Sequence, residues 1–152
     1  MTASPWRVYE KAKERLGAGE IDFDSDTLKV ALFTNSSNAS VITLDDYGDL
    51  SGEVANANGY TAGGETLANV TWSPAGGGAT MTLDADDVQW TATGGNITAR
   101  YAVIYDDSHA DKALLAYCVL DTLATDVTVT DGNNLTIQMN ASGIITLSGA
   151  TS

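Results

Sequence analysis

The sequence predicts an all-β protein, an antiparallel two-sheet sandwich of jelly-roll-like type, with one N-terminal α-helix. Short apolar or alternating runs recur at intervals of about 8–12 residues, which is the spacing of strands in β-sandwiches. Glycine is frequent, with 15 among the 152 residues, and proline occurs only twice. That composition suits many short strands joined by tight turns, and we expect about eight strands.

The first segment has the features of a helix. Ser4 supplies a residue type that caps helices, and Pro5 would occupy the first helical position. We predict a helix over residues 6–16, with Gly17 placed to end it. Its apolar stripe comprises Pro5, Val8, Tyr9, Ala12 and Leu16. We therefore divide the chain into an N-terminal helix, residues 1–17, and a single β-sandwich domain, residues 18–152.

The centre of the sandwich is predicted to be a hairpin. Residues 98–105, TARYAVIY, alternate and are rich in β-branched and aromatic side chains, while residues 113–120, ALLAYCVL, are almost continuously apolar. Strands of this kind are covered on much of both faces. Residues 27–34, TLKVALFT, predict another strong strand.

Shorter strands follow from the same patterns. They are predicted over residues 66–72, 79–83, 88–92, 127–130, 135–140 and 144–147, and glycine-containing turns separate many of them, including residues 73–78. Residues 35–59 are long, polar and without periodicity. A segment of that length inside a domain either carries binding or interface work or contains short elements that the pattern does not show.

The charge of the chain limits its partners. Twenty acidic and seven basic residues give a formal charge of −13 and a pI near 4.1. Such a surface repels phosphate backbones, so we expect no nucleic-acid partner. No apolar run has the length of a membrane span and no apolar signal core is present, which predicts synthesis in the cytoplasm and no membrane partner. Cys118 is the only cysteine, and we expect a buried, inert thiol.

Two groups of polar residues are candidates for a catalytic site or a metal site. Ser108, His109 and Asp111 lie together between the two arms of the central hairpin, but a catalytic triad needs side chains that converge from separate rigid elements. The run of Asp22, Asp24 and Asp26 begins like a calcium loop. It departs from that motif at its sixth position, Thr27, and at its twelfth, Phe33.

We therefore predict no catalytic residue, no metal site and no cofactor. Adjacent acids at turns do not meet the geometry of a glycosidase, although a small glycosidase remains a remote alternative. Five aromatic residues could belong either to the core or to a sugar-binding face, and we favour the core. They are Tyr60, Trp72, Trp90, Tyr101 and Tyr105.

Four consecutive pieces of the chain together carry a resemblance. They are AKERLGAGEIDFDSDTLKVALFT, DLSGEVANANGYTAGGETLANVTW, DADDVQWTATGGNITARYAVIYDD and NASGIITLS. This arrangement resembles small virion structural proteins of tailed bacteriophages, specifically decoration or cement proteins of the head. The resemblance implies a non-catalytic protein on the capsid exterior that binds the major capsid protein, stabilises the shell and forms a dimer or trimer. The alternative is a carbohydrate- or receptor-binding module of a phage tail structure.

The contact element is predicted to be the N-terminal segment. It contains four of the seven basic residues, namely Arg7, Lys11, Lys13 and Arg15. The hypothesis is that residues 1–16 contact the capsid or a neighbouring copy, with Trp6 as a buried anchor and the four basic residues paired to carboxylates. The alternative is an amphipathic helix that packs only on its own sandwich.

Overall fold

The computed structural model describes residues 3–75, 77, 80–123 and 126–149, and these are mostly β with one α-helix. The helix α1 is Glu10–Ala18, and a short 3-10 helix is Tyr47–Asp49. The strands are β1 (Arg7–Val8), β2 (Leu28–Phe33), β3 (Glu65–Thr66), β4 (Thr71–Ala75), β5 (Thr80–Asp84), β6 (Val88–Thr91), β7 (Ile97–Ala99), β8 (Tyr101–Asp106), β9 (Leu114–Val119), β10 (Val127–Val129), β11 (Asn134–Ile137) and β12 (Ile145–Ser148). The all-β prediction is confirmed, and the described strands are more numerous than the eight we expected.

One five-stranded antiparallel sheet forms the centre of the fold, in the order β1-β9-β8-β2-β3. Strand β8 lies between β2 and β9, so Ala102 pairs with Leu32 on one side and Cys118 on the other. Nearly every residue of these three strands is buried. This burial confirms the predicted hairpin with both faces covered. Strands β8 and β9 are composed of apolar and aromatic residues apart from Asp106, a composition typical of strands that are buried on both sides.

The predicted strand over residues 98–105 is in fact two strands that meet at Arg100. Before it, β7 pairs with β10, and after it, β8 pairs within the central sheet. The Arg100 backbone N–H donates to the Phe33 carbonyl at 2.7 Å, and its Nη1 donates to the Asp121 carbonyl at 2.8 Å. These bonds hold a bend at which the chain passes from one sheet to another, and residue alternation alone does not reveal such a bend.

Three small antiparallel sheets accompany the central sheet where we predicted a single second sheet. Their orders are β10-β7, β11-β6 and β12-β5-β4. The predicted strand over residues 66–72 is divided into β3 and β4 by a turn in which Asn69 has a positive φ of 50°. Strand β4 then continues to Ala75, so Pro74 lies on an edge strand rather than in the predicted turn. Residues 76 and 78 of that turn, and residue 79 at the start of the predicted strand over residues 79–83, lie outside the described residues.

The N-terminal helix begins later than predicted. Ser4 does not cap a helix: its backbone N–H donates to the Val119 carbonyl at 2.8 Å, and its Oγ accepts the Val119 N–H at 2.8 Å. This pairing continues through β1, so the segment completes the outer edge of β9. The helix starts at Glu10 and ends at Ala18, and its C-cap is Gly19, with a φ of 74°, rather than Gly17. An unpaired strand edge offers more backbone hydrogen bonds than a frayed first helical turn.

The polar segment 35–59 contains short elements that the sequence pattern did not show. Besides the 3-10 helix, Glu53 forms an isolated bridge with Phe33, and its Oε1 accepts both the Tyr60 hydroxyl at 2.7 Å and the Gly63 N–H at 2.6 Å. The Tyr60 hydroxyl in turn accepts the Leu32 N–H at 3.0 Å. One carboxylate therefore ties this segment to the central sheet.

Candidate docking surface

The four basic residues of the N-terminal segment have different environments. Arg15 is only 6% exposed, and its Nη1 lies 2.8 Å from both the Asp45 carbonyl oxygen and Asp46 Oδ1. Its Nε is 3.6 Å from Glu20 Oε2. A buried guanidinium with these partners holds the helix to segment 35–59. This corrects the expectation that Arg15 is a charge available to a docking partner.

The other three basic residues lie at the surface. Lys11 Nζ pairs with Glu14 Oε1 at 2.8 Å across one helical turn. Arg7 and Lys13 are exposed, and no described carboxylate forms a salt bridge with either. They line one shallow depression whose other members are Val8, Glu10, Ser40, Ile42 and Tyr117. The unpaired positive charge of the segment is therefore concentrated on Arg7 and Lys13.

Trp6 lies beside a larger groove of about 750 Å³. The ring is half-buried and packs against the hydrophobic core. The described lining residues are Ala3, Ser4, Pro5, Trp6, Cys118, Leu120, Val127, Leu135, Thr136, Ile137, Gln138, Met139, Asn140, Ser142, Gly143, Ile144 and Thr146. None of them is charged, although the chain has 20 acidic residues. We call this feature the uncharged groove.

Trp6 was predicted from the sequence, but the opposite wall of the uncharged groove was not. That wall consists of β11 and the residues that lead to β12. Residues 132–149 contain no charged side chain, and this was the available signal. The alternation of apolar and polar residues predicted strands here, but it did not indicate that these strands would lie beside the N-terminal segment.

The aromatic residues considered for a sugar-binding face are largely buried. Tyr60, Trp90 and Tyr105 are each at most 2% exposed, and the rings of Tyr60 and Trp90 lie 6.0 Å apart. Trp72 is half-buried with its ring 5.1 Å from Phe23, and Tyr101 is half-buried as well. The prediction that these rings belong to the core is confirmed for the three buried ones.

The loop containing His109 is held by hydrogen bonds between its backbone N–H groups and its own side chains. Asp106 Oδ1 accepts the N–H groups of Ser108 and His109 at 2.9 and 3.1 Å, and His109 Nδ1 accepts the Asp111 N–H at 3.2 Å. His109 Nε2 faces Glu20 Oε2 at 3.8 Å. Ser108 Oγ accepts the Thr27 N–H at 2.7 Å rather than contacting the imidazole. The arrangement is that of a turn, with no base directed at a nucleophile.

The acidic run before β2 forms a turn of the same kind. Asp22 Oδ1 accepts the Asp24 N–H at 2.9 Å, and Asp26 Oδ2 accepts the Asp22 N–H at 2.7 Å. Among the residues that the structure describes, no group of three or more His, Cys, Asp or Glu is arranged to hold a metal ion.

Asp106 is a fully buried carboxyl group. Burial, together with a hydrogen bond to Asp26, raises its pKa from 3.8 to about 6. Because the folded protein favours the protonated form, this residue supports folding fully below about pH 4, and its contribution is lost as the pH rises through about 6.

We expect Asp106→Asn to remove this pH dependence. The amide oxygen still accepts both loop N–H groups, and the group no longer ionises. A shift of this size corresponds to up to about 3 kcal/mol, so the variant should match the native chain near pH 4 and exceed its free energy of unfolding by up to that amount near pH 7.5. Urea unfolding at both pH values measures this difference. Asp111→Asn, which removes an exposed carboxylate from the same loop, is the control, and a difference that does not change with pH would contradict the assignment.

Comparison with known proteins adds no relative: the chain matches no protein-family model, no curated protein and no solved structure. Within the described part of the chain, no helix has the length and apolar character needed to cross a membrane.

Proposed function

We propose that this protein is a decoration, or cement, protein of a tailed-bacteriophage head. It binds the outer surface of the assembled shell through the major capsid protein and stabilises the shell without catalysing a reaction. It acts as a dimer or trimer on the particle and is synthesised in the host cytoplasm. The resemblance described above, which covers nearly the whole chain, supports this proposal.

The position of Trp6 is the single observation that carries the proposal. A half-buried indole borders an uncharged groove, on a chain whose formal charge is −13. Two exposed cations of the same N-terminal segment, Arg7 and Lys13, line the separate shallow depression described above. Aromatic anchors at the centre of an interface and charged residues at its rim are the residue types that protein interfaces combine.

This arrangement assigns separate tasks to the two features. The uncharged groove accepts an apolar element of the shell protein beside the Trp6 ring, while Arg7 and Lys13 pair with carboxylates at the rim and accelerate encounter. Each contact is small. A shell presents many equivalent sites, so copies that are linked as dimers or trimers gain avidity from weak individual contacts.

We expect Trp6→Ala to weaken attachment to purified empty heads of the phage that encodes the chain. Loss of an aromatic anchor costs about 2 kcal/mol or more, which is about a 30-fold rise in the dissociation constant. Val41→Ala, at an apolar residue that is 45% exposed, is the matched control and should bind normally. Thermal unfolding of each variant shows whether the sandwich is still folded. Equal binding of native chain and folded Trp6→Ala would contradict the docking role.

Reversal of the two free cations should affect the rate of binding rather than the anchor. For Arg7→Glu with Lys13→Glu, we expect the association rate constant at low salt to fall by about tenfold, and the difference from the native chain to shrink as salt is added. The measurement is surface-based binding kinetics to immobilised heads. The single variants Arg7→Glu and Lys13→Glu are each compared with Lys112→Glu, which changes the net charge by the same amount elsewhere in the chain. Binding to host polysaccharide and not to heads would favour the receptor-binding alternative.

A further inference from the structure

The three-stranded sheet β12-β5-β4 has one face that is apolar along its whole length. Residues opposite one another in the register share a face, and so do residues two apart on one strand. The inner row across the three strands is Trp72, Leu83 and Ile145. The outer row is Pro74, Met81 and Leu147.

Within the part of the chain that the structure describes, only the inner row is covered. Leu83 and Ile145 are at most 6% exposed, and Trp72 contacts the Phe23 ring. In the outer row, Leu147 is 64% exposed, Pro74 is exposed and Met81 is half-buried. The apolar alternation nevertheless continues unchanged from one row to the next. The sequence therefore maintains a face for burial beyond the point where its own core ends.

The other face of the sheet shows that this pattern is not a general lack of polar residues. Its members along β4, β5 and β12 are Thr71, Ser73, Ala75, Thr80, Thr82, Asp84, Thr146 and Ser148. Seven of these eight are polar, so the two faces of the sheet differ sharply in character. Only the apolar face requires a partner.

Charge identifies the kind of partner. Residues 70–83 and 132–149 contain no charged side chain, whereas the chain as a whole has a formal charge of −13. A second copy that approached through a charged face would place carboxylates opposite carboxylates. A second copy that approaches through the outer row meets no carboxylate there. A basic partner would instead be bound where the carboxylates lie.

We propose that the outer row is the contact between two copies of this chain, packed face to face about a two-fold axis. Leu147 of one copy then lies against Met81 and Pro74 of the other, and the same contact is made twice. The patch is small compared with the roughly 800 Å² per partner of a stable complex. The pair therefore forms weakly in dilute solution and more completely where copies are concentrated on a surface.

Sedimentation velocity over about a hundredfold range of concentration tests the contact. We expect reversible dimerisation of the native chain that strengthens as salt is added, because salt screens the repulsion between two acidic bodies. Met81→Ser with Leu147→Ser should raise the dissociation constant by at least about tenfold. Leu123→Ser is the matched control, since this leucine is 86% exposed and lies outside the sheet, and it should dimerise normally.

Cross-linking gives a second readout that does not depend on the affinity. The native thiol of Cys118 is buried, so a cysteine introduced by Leu147→Cys is the reactive one. Mild oxidation of an equal mixture of Leu147→Cys and Met81→Cys chains should yield a disulfide-linked dimer that joins the two variants, and a mixture of Leu147→Cys and Leu123→Cys chains should yield much less. A native chain that is monomeric throughout, or equal cross-linking in the two mixtures, would overturn the proposal. Phage heads take no part in either measurement, so the contact is tested separately from the proposed function.

Discussion

Replacing Gly64 with alanine is expected to destabilise this protein more than any other single substitution considered for it. Gly64 has a φ of +70°, a conformation that costs L-residues about 1–2 kcal/mol. An added Cβ would also overlap the Val30 carbonyl group and lie 2.7 Å from the Ala31 Cα. These backbone atoms belong to β2 in the central sheet and have little freedom to move. We expect a loss of more than about 4 kcal/mol in the free energy of unfolding, or no soluble folded protein.

Two other glycines separate the causes of that loss. Gly132 has a similar φ of +83° but nothing within 4 Å of an added Cβ, so Gly132→Ala should cost only the backbone term, about 1–2 kcal/mol. Gly17 lies in α1 with open space around it, and Gly17→Ala should be neutral or stabilising by up to about 1 kcal/mol. Chemical denaturation of the three variants measures the series. Similar losses for Gly64→Ala and Gly132→Ala would show that the close approach to β2 is not present.

The second large effect is expected at Glu53, because one carboxylate oxygen satisfies two donors. Glu53→Ala leaves the Tyr60 hydroxyl and the Gly63 N–H without their acceptor, beside a tyrosine ring that is 2% exposed. Each unsatisfied buried group costs about 1–3 kcal/mol, so we expect a loss of about 2–4 kcal/mol. Segment 35–59 should also exchange its amide hydrogens faster, because its tie to the central sheet is removed.

The conservative variant distinguishes this network from a general effect of mutation. Glu53→Gln retains an acceptor oxygen and should lose clearly less stability than Glu53→Ala. Glu65→Ala removes an exposed glutamate from β3 and should change the free energy of unfolding by no more than about 0.5 kcal/mol. A double-mutant cycle with Tyr60→Phe measures the coupling of the pair, and additive losses would contradict the shared hydrogen bond.

Much of the fold was predictable because its causes are local in the chain. Strand β9 is a continuous apolar run, and β2 and β8 are apolar apart from Lys29 and Asp106. Burial on both faces of a sheet accommodates strands of this composition. The acidic excess and the absence of charge from residues 132–149 are also readable directly. The bend at Arg100 was not predictable from its neighbours in the sequence, because it depends on hydrogen bonds to the distant residues Phe33 and Asp121.

The N-terminal segment shows what only the tertiary structure decided. Ser4 and Pro5 have the local chemistry of a helix start, yet the free edge of β9, 115 residues away, pairs with Ser4 instead. Arg15 belongs by sequence to a basic cluster, but its side chain is buried, where it forms a salt bridge with Asp46 and donates a hydrogen bond to the Asp45 carbonyl. Trp6 was identified from the sequence, whereas the opposite wall of its groove was not. The sequence determines the residue types and the pairing tendencies of each element. Which elements meet depends on backbone groups and charges that are distant in the chain and must all be satisfied when the core is buried.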